Sequence, residues 1–119
     1  MSCKAAVRQA GNIAVVDLSG RITLGDGSGL VRNTIKDLLN QGRKDILLNL
    51  QEVTYMDSAG LGELVGAYAS VTNAGGRIKL LNAQGRVSEV LTITKLYTVF
   101  ENFTEEAAAA ASFTAAAGA

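Results

Sequence analysis

A serine, Ser58, follows a carboxylate, Asp57, at the point where an apolar run, Ile46 to Leu50, gives way through Tyr55 and Met56 to a helical pattern. Three kinds of chemistry are open to that pair. The hydroxyl of Ser58 can cap the helix by accepting a bond from an unpaired N–H of the first turn. It can carry a phosphate, which the helix dipole and the free amides stabilise. It can act as a nucleophile, and then it needs a base. Capping and phosphate acceptance are compatible with each other. The nucleophile lacks its helper, because the chain has no histidine, so a Ser-His triad, an imidazole base and a His-ligated metal are all absent.

The rest of the composition narrows the chemistry further. One cysteine, Cys3, cannot build a thiolate zinc site. Asp17, Asp26, Asp57 and Glu63 show no paired spacing of the glycosidase kind, and neither GDGSG nor SAGLG carries the lysine of a phosphate-cradling loop. The chain reads as a binding module with no cofactor and no metal, not as an enzyme. Asp57 has an ordinary role in a turn or in bonding to the loop. Eleven basic and eleven acidic side chains give zero net charge, with Lys4, Arg8, Lys44, Lys79 and Lys95 scattered, which argues against nucleic acid and anionic membranes as partners. With a lone cysteine, no apolar run of membrane-spanning length and no signal-peptide core, a cytoplasmic protein is expected.

The elements that must position Ser58 follow from periodicity. At 119 residues the chain suits one domain with a real core. Lys4–Gln9 and Ile13–Ser19 flank the turn dipeptide Gly11-Asn12 and predict a hairpin whose second strand is the inner one. Gly20–Gly29 holds four glycines and predicts a loop; Thr23, Asp26 and Ser28 either belong to a plain connection or line a recognition surface beside Ser58. A helix over Leu30–Gln41 buries Leu30, Val31, Thr34, Ile35, Leu38 and Leu39, with Ser28 as a cap and Gly42 closing it. Strand Asp45–Leu50, a connection over Gln51–Asp57, the helix from Ser58 to about Asn73 and strand Arg77–Leu81 follow. A short helix over Gln84–Thr92, an edge strand at Leu96–Phe100 and an alanine-rich helix from Glu105 to about Phe113 complete the chain.

On a helical wheel, Leu61, Leu64, Val65, Tyr68 and Thr72 form the expected buried stripe after Ser58, and Ala59, Gly62, Gly66, Ala69 and Asn73 a small-residue flank. Each glycine inside a helix costs roughly 1 kcal/mol relative to alanine, so something should offset Gly62 and Gly66. Close packing on the sheet or a neighbouring helix is one candidate. A partner laid over the first turns is the other, and a phosphate on Ser58 beside Asp57 would repel it.

The run Tyr55-Met56-Asp57-Ser58-Ala59-Gly60-Leu61-Gly62 after ILLNL resembles the signature of the STAS domain, in particular the bacterial anti-sigma-factor antagonists. The resemblance extends more weakly over about residues 4 to 113. It implies an α/β, STAS-like single domain spanning 1–119: a mixed four- to five-stranded sheet, an N-terminal hairpin followed by parallel βαβ units, and about four helices. It further implies a partner switch. An anti-sigma factor with serine-kinase activity binds the chain around Asp57, Ala59, Gly60, Leu61, Gly62 and Gly66, phosphorylates Ser58 and releases it, and a phosphatase restores binding. Many such antagonists carry an acidic residue where Thr23 stands here, and the nearest carboxylate is Asp26. Other relatives are subunits of stress-signalling complexes or of lipid and anion transporters.

Overall fold

The computed structural model describes residues 3–23 and 28–118. Strand β1 (Lys4–Ala10) turns through Gly11-Asn12 into β2 (Ile13–Ile22), and the pair is antiparallel from Ala10↔Ile13 to Lys4↔Ser19. Only two residues separate the strands, the loop length that a glycine at positive φ (Gly11, φ 63°) makes possible. Helix α1 (Ser28–Asn40) then crosses to β3 (Asp45–Met56), α2 (Ser58–Asn73) to β4 (Arg77–Leu81), and α3 (Gly85–Ile93) towards β5 (Asn102–Phe103). Helix α4 (Glu106–Gly118) ends the chain. The result is a single α/β domain with sheet order β1-β2-β3-β4-β5, parallel throughout except for the hairpin.

The two sheet faces are unequal. Val16, Leu18, Leu48, Leu50 and Leu80 point into the main core, where Val31, Ile35 and Leu38 of α1, Leu64, Ala67 and Val71 of α2, and Val87 and Leu91 of α3 meet them. The opposite face is a small cluster of Ile13, Val15, Leu47 and Leu81, covered by Ala109 and Phe113 of α4. Alternation of side chains along β2 and β3 divides them between the faces, which is why Ile46-Leu47-Leu48 reads as one continuous apolar run. Among the described residues no helix is long and apolar enough to cross a membrane.

Three expectations need correction. The connection expected over Gln51–Asp57 is strand as far as Met56, because β2 also runs past Ser19 and pairs with it: Ser19↔Glu52, Gly20↔Val53, Arg21↔Tyr55 and Ile22↔Met56. Register shifts between Asp17 and Ser19 and between Gly20 and Arg21 break simple alternation, so the polar residues of QEVTYM mask the strand. Second, Leu96–Thr98 is a turn of 3-10 helix, and the edge strand is Asn102–Phe103. The Asn102 side chain fixes it by exchanging two hydrogen bonds with the Ala83 peptide, at 3.0 and 3.1 Å. Third, the final helix continues to Gly118 and buries Ala109 as well as Phe113.

Charged groups fasten α4. The Arg8 guanidinium forks onto Glu106 at 2.7 and 2.9 Å and also holds Asp17, which accepts from Asn49 at 2.8 Å. Lys79, buried on β4, donates to Ser112 Oγ at 2.9 Å, pairs with Glu101 at 3.1 Å and sits 4.9 Å from the Phe113 ring centroid. Hydrogen bonds from Arg8 hold the carboxyls of Asp17 and Glu106 below the usual carboxylate range. Carboxylates depressed in the folded state contribute stability that is complete above the unfolded value and is lost as pH falls through the folded one. We therefore expect acid denaturation to steepen below about pH 4, and Arg8→Ala to flatten that limb while costing about 1 kcal/mol at neutral pH, because these groups are partly exposed. Urea titrations at pH 7 and pH 3 measure both.

Candidate functional site

The corner between β3 and α2 is built on backbone contacts with the end of β2. Asp57 leaves the strand in an extended conformation (φ −106°, ψ −171°) and its Oδ1 accepts a hydrogen bond from the Gly60 N–H at 3.0 Å. Asp57 is thus the helix N-cap, and the expectation that Ser58 fills that place is corrected. Both residue types cap well; the choice fell to Asp57 because β3 runs to Met56 and the first helical residue is Ser58. The Asp57 N–H in turn donates to the Ile22 carbonyl at 3.4 Å, so the last residue of β2 touches the first turn of α2.

Gly60 makes this approach possible. A Cβ there would overlap the Ile22 carbonyl oxygen and lie 2.8 Å from Met56 Cγ. The close packing expected of the helix glycines therefore belongs to Gly60, which is buried, and not to Gly62 or Gly66, where an added Cβ meets nothing within 4 Å and both residues are exposed. The buried line of α2 is Gly60, Leu64, Ala67 and Val71. Val65, expected inside, is 43% exposed, and Thr72 is exposed; Leu61 and Tyr68 are half-buried, Tyr68 edge-on to Phe100 with ring centroids 5.5 Å apart. Gly60 against the end of β2 and Ala67 beside α1 turn the buried line of the helix away from the stripe that side-chain size alone suggests.

Ser58 is left exposed at the first helical position, and among the described residues its hydroxyl takes part in no side-chain hydrogen bond. Ala59 and Asp57 are half-buried beside it. Thr23 is buried, one residue beyond the Ile22 carbonyl that meets the corner. Asp26 lies outside the described residues; Ser28 is the first residue of α1, and its side chain also lies outside them. Tyr55 is half-buried with the Arg21 guanidinium 5.4 Å from its ring centroid, and Met56 is core. Glu63, in the sequence only one of several carboxylates without paired spacing, reaches across to α1 and accepts from the Arg32 N–H at 3.2 Å.

These features define a class: a small α/β domain that presents a solvent-facing serine at a strand-to-helix corner, next to the exposed helix glycines Gly62 and Gly66. The STAS domain family matches residues 4–109, and the chain belongs to that family. It is 33% identical over 101 residues to the anti-sigma-B factor antagonist of Bacillus subtilis, a match spanning 85% of this chain and 91% of the relative. The fold superposes on an anti-sigma factor antagonist from Mycobacterium paratuberculosis with a TM-score of 0.84 at 18% identity, over 95% of each chain. It also superposes on the Bacillus cell fate determinant SpoIIAA in its phosphorylated form, with a TM-score of 0.68 at 24% identity, over 88% of this chain and 96% of the other.

Proposed function

We propose that this protein is an anti-sigma-factor antagonist whose binding to a serine-kinase anti-sigma factor is switched by phosphorylation of Ser58. The single observation that carries the proposal is the division of labour at the corner: Asp57 caps α2, leaving Ser58 exposed. An exposed hydroxyl at a helix N-terminus can be reached by a kinase, and the dipole favours the added charge. The partner surface is the first turns of α2, contributed by Ala59, Leu61, Gly62 and Gly66 with the exposed apolar Val65; Thr23, at the end of β2, is buried and stays out of direct contact. Gly60 acts beneath it, by seating the helix.

In the unphosphorylated state the chain occupies the anti-sigma factor and so frees a sigma factor for transcription. Phosphate on Ser58, beside Asp57, places ~1.5 to 2 negative charges in that contact and ends it. A phosphatase resets the cycle. The chain acts in the cytoplasm as a binding module and contributes no catalytic group; the kinase supplies the chemistry. Incubation with the kinase and ATP is expected to add one phosphate per chain by intact-mass measurement, and Ser58→Ala to abolish it. Phosphate incorporation into Ser58→Ala at the wild-type rate contradicts the proposal.

The bare flank yields a second test. Because a Cβ at Gly62 or Gly66 meets open space, Gly62→Ala and Gly66→Ala should each stabilise the fold by about 0.5 to 1 kcal/mol. The same methyl groups enter the proposed interface, so partner affinity should fall as thermal stability rises. Variants that gain stability and bind unchanged remove this flank from the interface.

A further inference from the structure

The Glu63 carboxylate lies between α1 and α2, its side chain only 14% exposed. Its Oε1 accepts from the backbone N–H of Arg32 at 3.2 Å, while Oε2 makes a looser contact at 3.5 Å with the Arg32 guanidinium, which is 69% exposed. A shielded carboxylate is tolerated only when hydrogen-bonded, and a bond to an ionised acceptor is about twice as strong as a neutral one. The cleft at this point is lined by Arg32, Ile35, Glu63, Gly66, Ala67 and Ser70. On the α2 side these are small residues apart from Glu63, so there is little ridge to lock one helix against sliding along the other.

We infer that Glu63 is a positioning residue of the partner surface: by gripping the Arg32 amide it sets the N-terminal turns of α1 at a fixed height beside the first turns of α2, so that the two helices present one continuous surface next to Ser58. The inference rests on the reading of Ser58 as the switched residue of that surface. Its role is geometric, so an acceptor without charge suffices. Glutamine at position 63 can offer its amide oxygen to the same N–H; alanine cannot.

The experiment compares wild type, Glu63→Gln, Glu63→Ala and Ser58→Asp by amide hydrogen exchange of the free protein and by titration with the kinase. Glu63→Ala is expected to speed exchange at the Arg32 amide about tenfold and to weaken kinase binding about tenfold, and Glu63→Gln to restore both towards wild type. Unchanged exchange at Arg32 in Glu63→Ala overturns the clamp, whatever the kinase does. Wild-type binding by Glu63→Ala while Ser58→Asp loses affinity overturns the positioning role and leaves the switch standing. If Glu63→Gln binds as poorly as Glu63→Ala although exchange is restored, Glu63 meets the kinase through its charge and the inference falls. Wild-type binding by Ser58→Asp counts against the switch, and the exchange data still decide the clamp.

Discussion

Gly60→Ala is expected to lower folding stability by about 3 kcal/mol, a large share of what holds a domain of this size together. The methyl group has no free direction. It meets a backbone carbonyl, that of Ile22, and the buried Met56 side chain, and a carbonyl fixed in the sheet cannot swing aside as the end of a flexible side chain would. Relief requires α2 to lift from the end of β2, which strains the Asp57 N–H contact to Ile22 and the cap at Gly60 together. Chemical denaturation reads the effect directly, and Gly66→Ala is the matched control on the same helix. Equal and small changes in the two variants contradict the placement of Gly60 against β2.

The second large effect concerns binding. Ser58→Asp is expected to weaken the kinase complex about a hundredfold, and Ser58→Ala to leave it near wild type. The asymmetry follows from the corner. Ser58 is exposed and among the described residues gives no side-chain hydrogen bond to the fold, so removing the hydroxyl disturbs nothing. A carboxylate at the first helical position is favoured by the dipole, so the aspartate variant should fold as well as wild type and its affinity can be compared cleanly. What changes is a second negative charge next to Asp57 in the contact. Isothermal titration of both variants distinguishes the outcomes, and a Ser58→Asp protein that binds as tightly as Ser58→Ala removes charge as the switching principle.

Much of the architecture was legible because local and tertiary preferences agree. Gly11-Asn12 between two extended runs gave a hairpin with β2 inside, and the stripe Val31, Ile35 and Leu38 gave α1 with Gly42 at its end. Arg43 and Gly42 donate to the carbonyls of Leu38 and Leu39 there, the paired bonds of a helix closed by a left-handed residue. The corner itself was legible as a corner, but its internal assignments were not. Asp57 and Ser58 are both good caps, and only the length of β3, set by pairing with the extension of β2, decides between them.

The buried face of α2 departs from the stripe of large apolar residues for a related reason. Hydrophobic size points to Val65 and Tyr68, whereas the buried line of α2 includes Gly60, against the end of β2, and Ala67, in the cleft beside α1, residues whose smallness is the signal and which a size-weighted wheel discounts. Lys79 and Glu63 carry no sequence signal at all. A lysine in RIKLL or a glutamate in GELVG looks solvated until α4 covers the one and α1 receives the other. Leu96–Phe100 is apolar enough to look like an edge strand, while the true strand is held by backbone bonds from Leu80 and Asn82 and by the Asn102 side chain on Ala83, none of which the sequence displays.

The most direct measurement of the central claim is a titration of the kinase anti-sigma factor with two preparations of the same chain, one unphosphorylated and one carrying a single phosphate on Ser58. The switch predicts tight binding by the first and at least a hundredfold weaker binding by the second, with treatment by a phosphatase restoring the first value. Equal affinities for the two preparations contradict it.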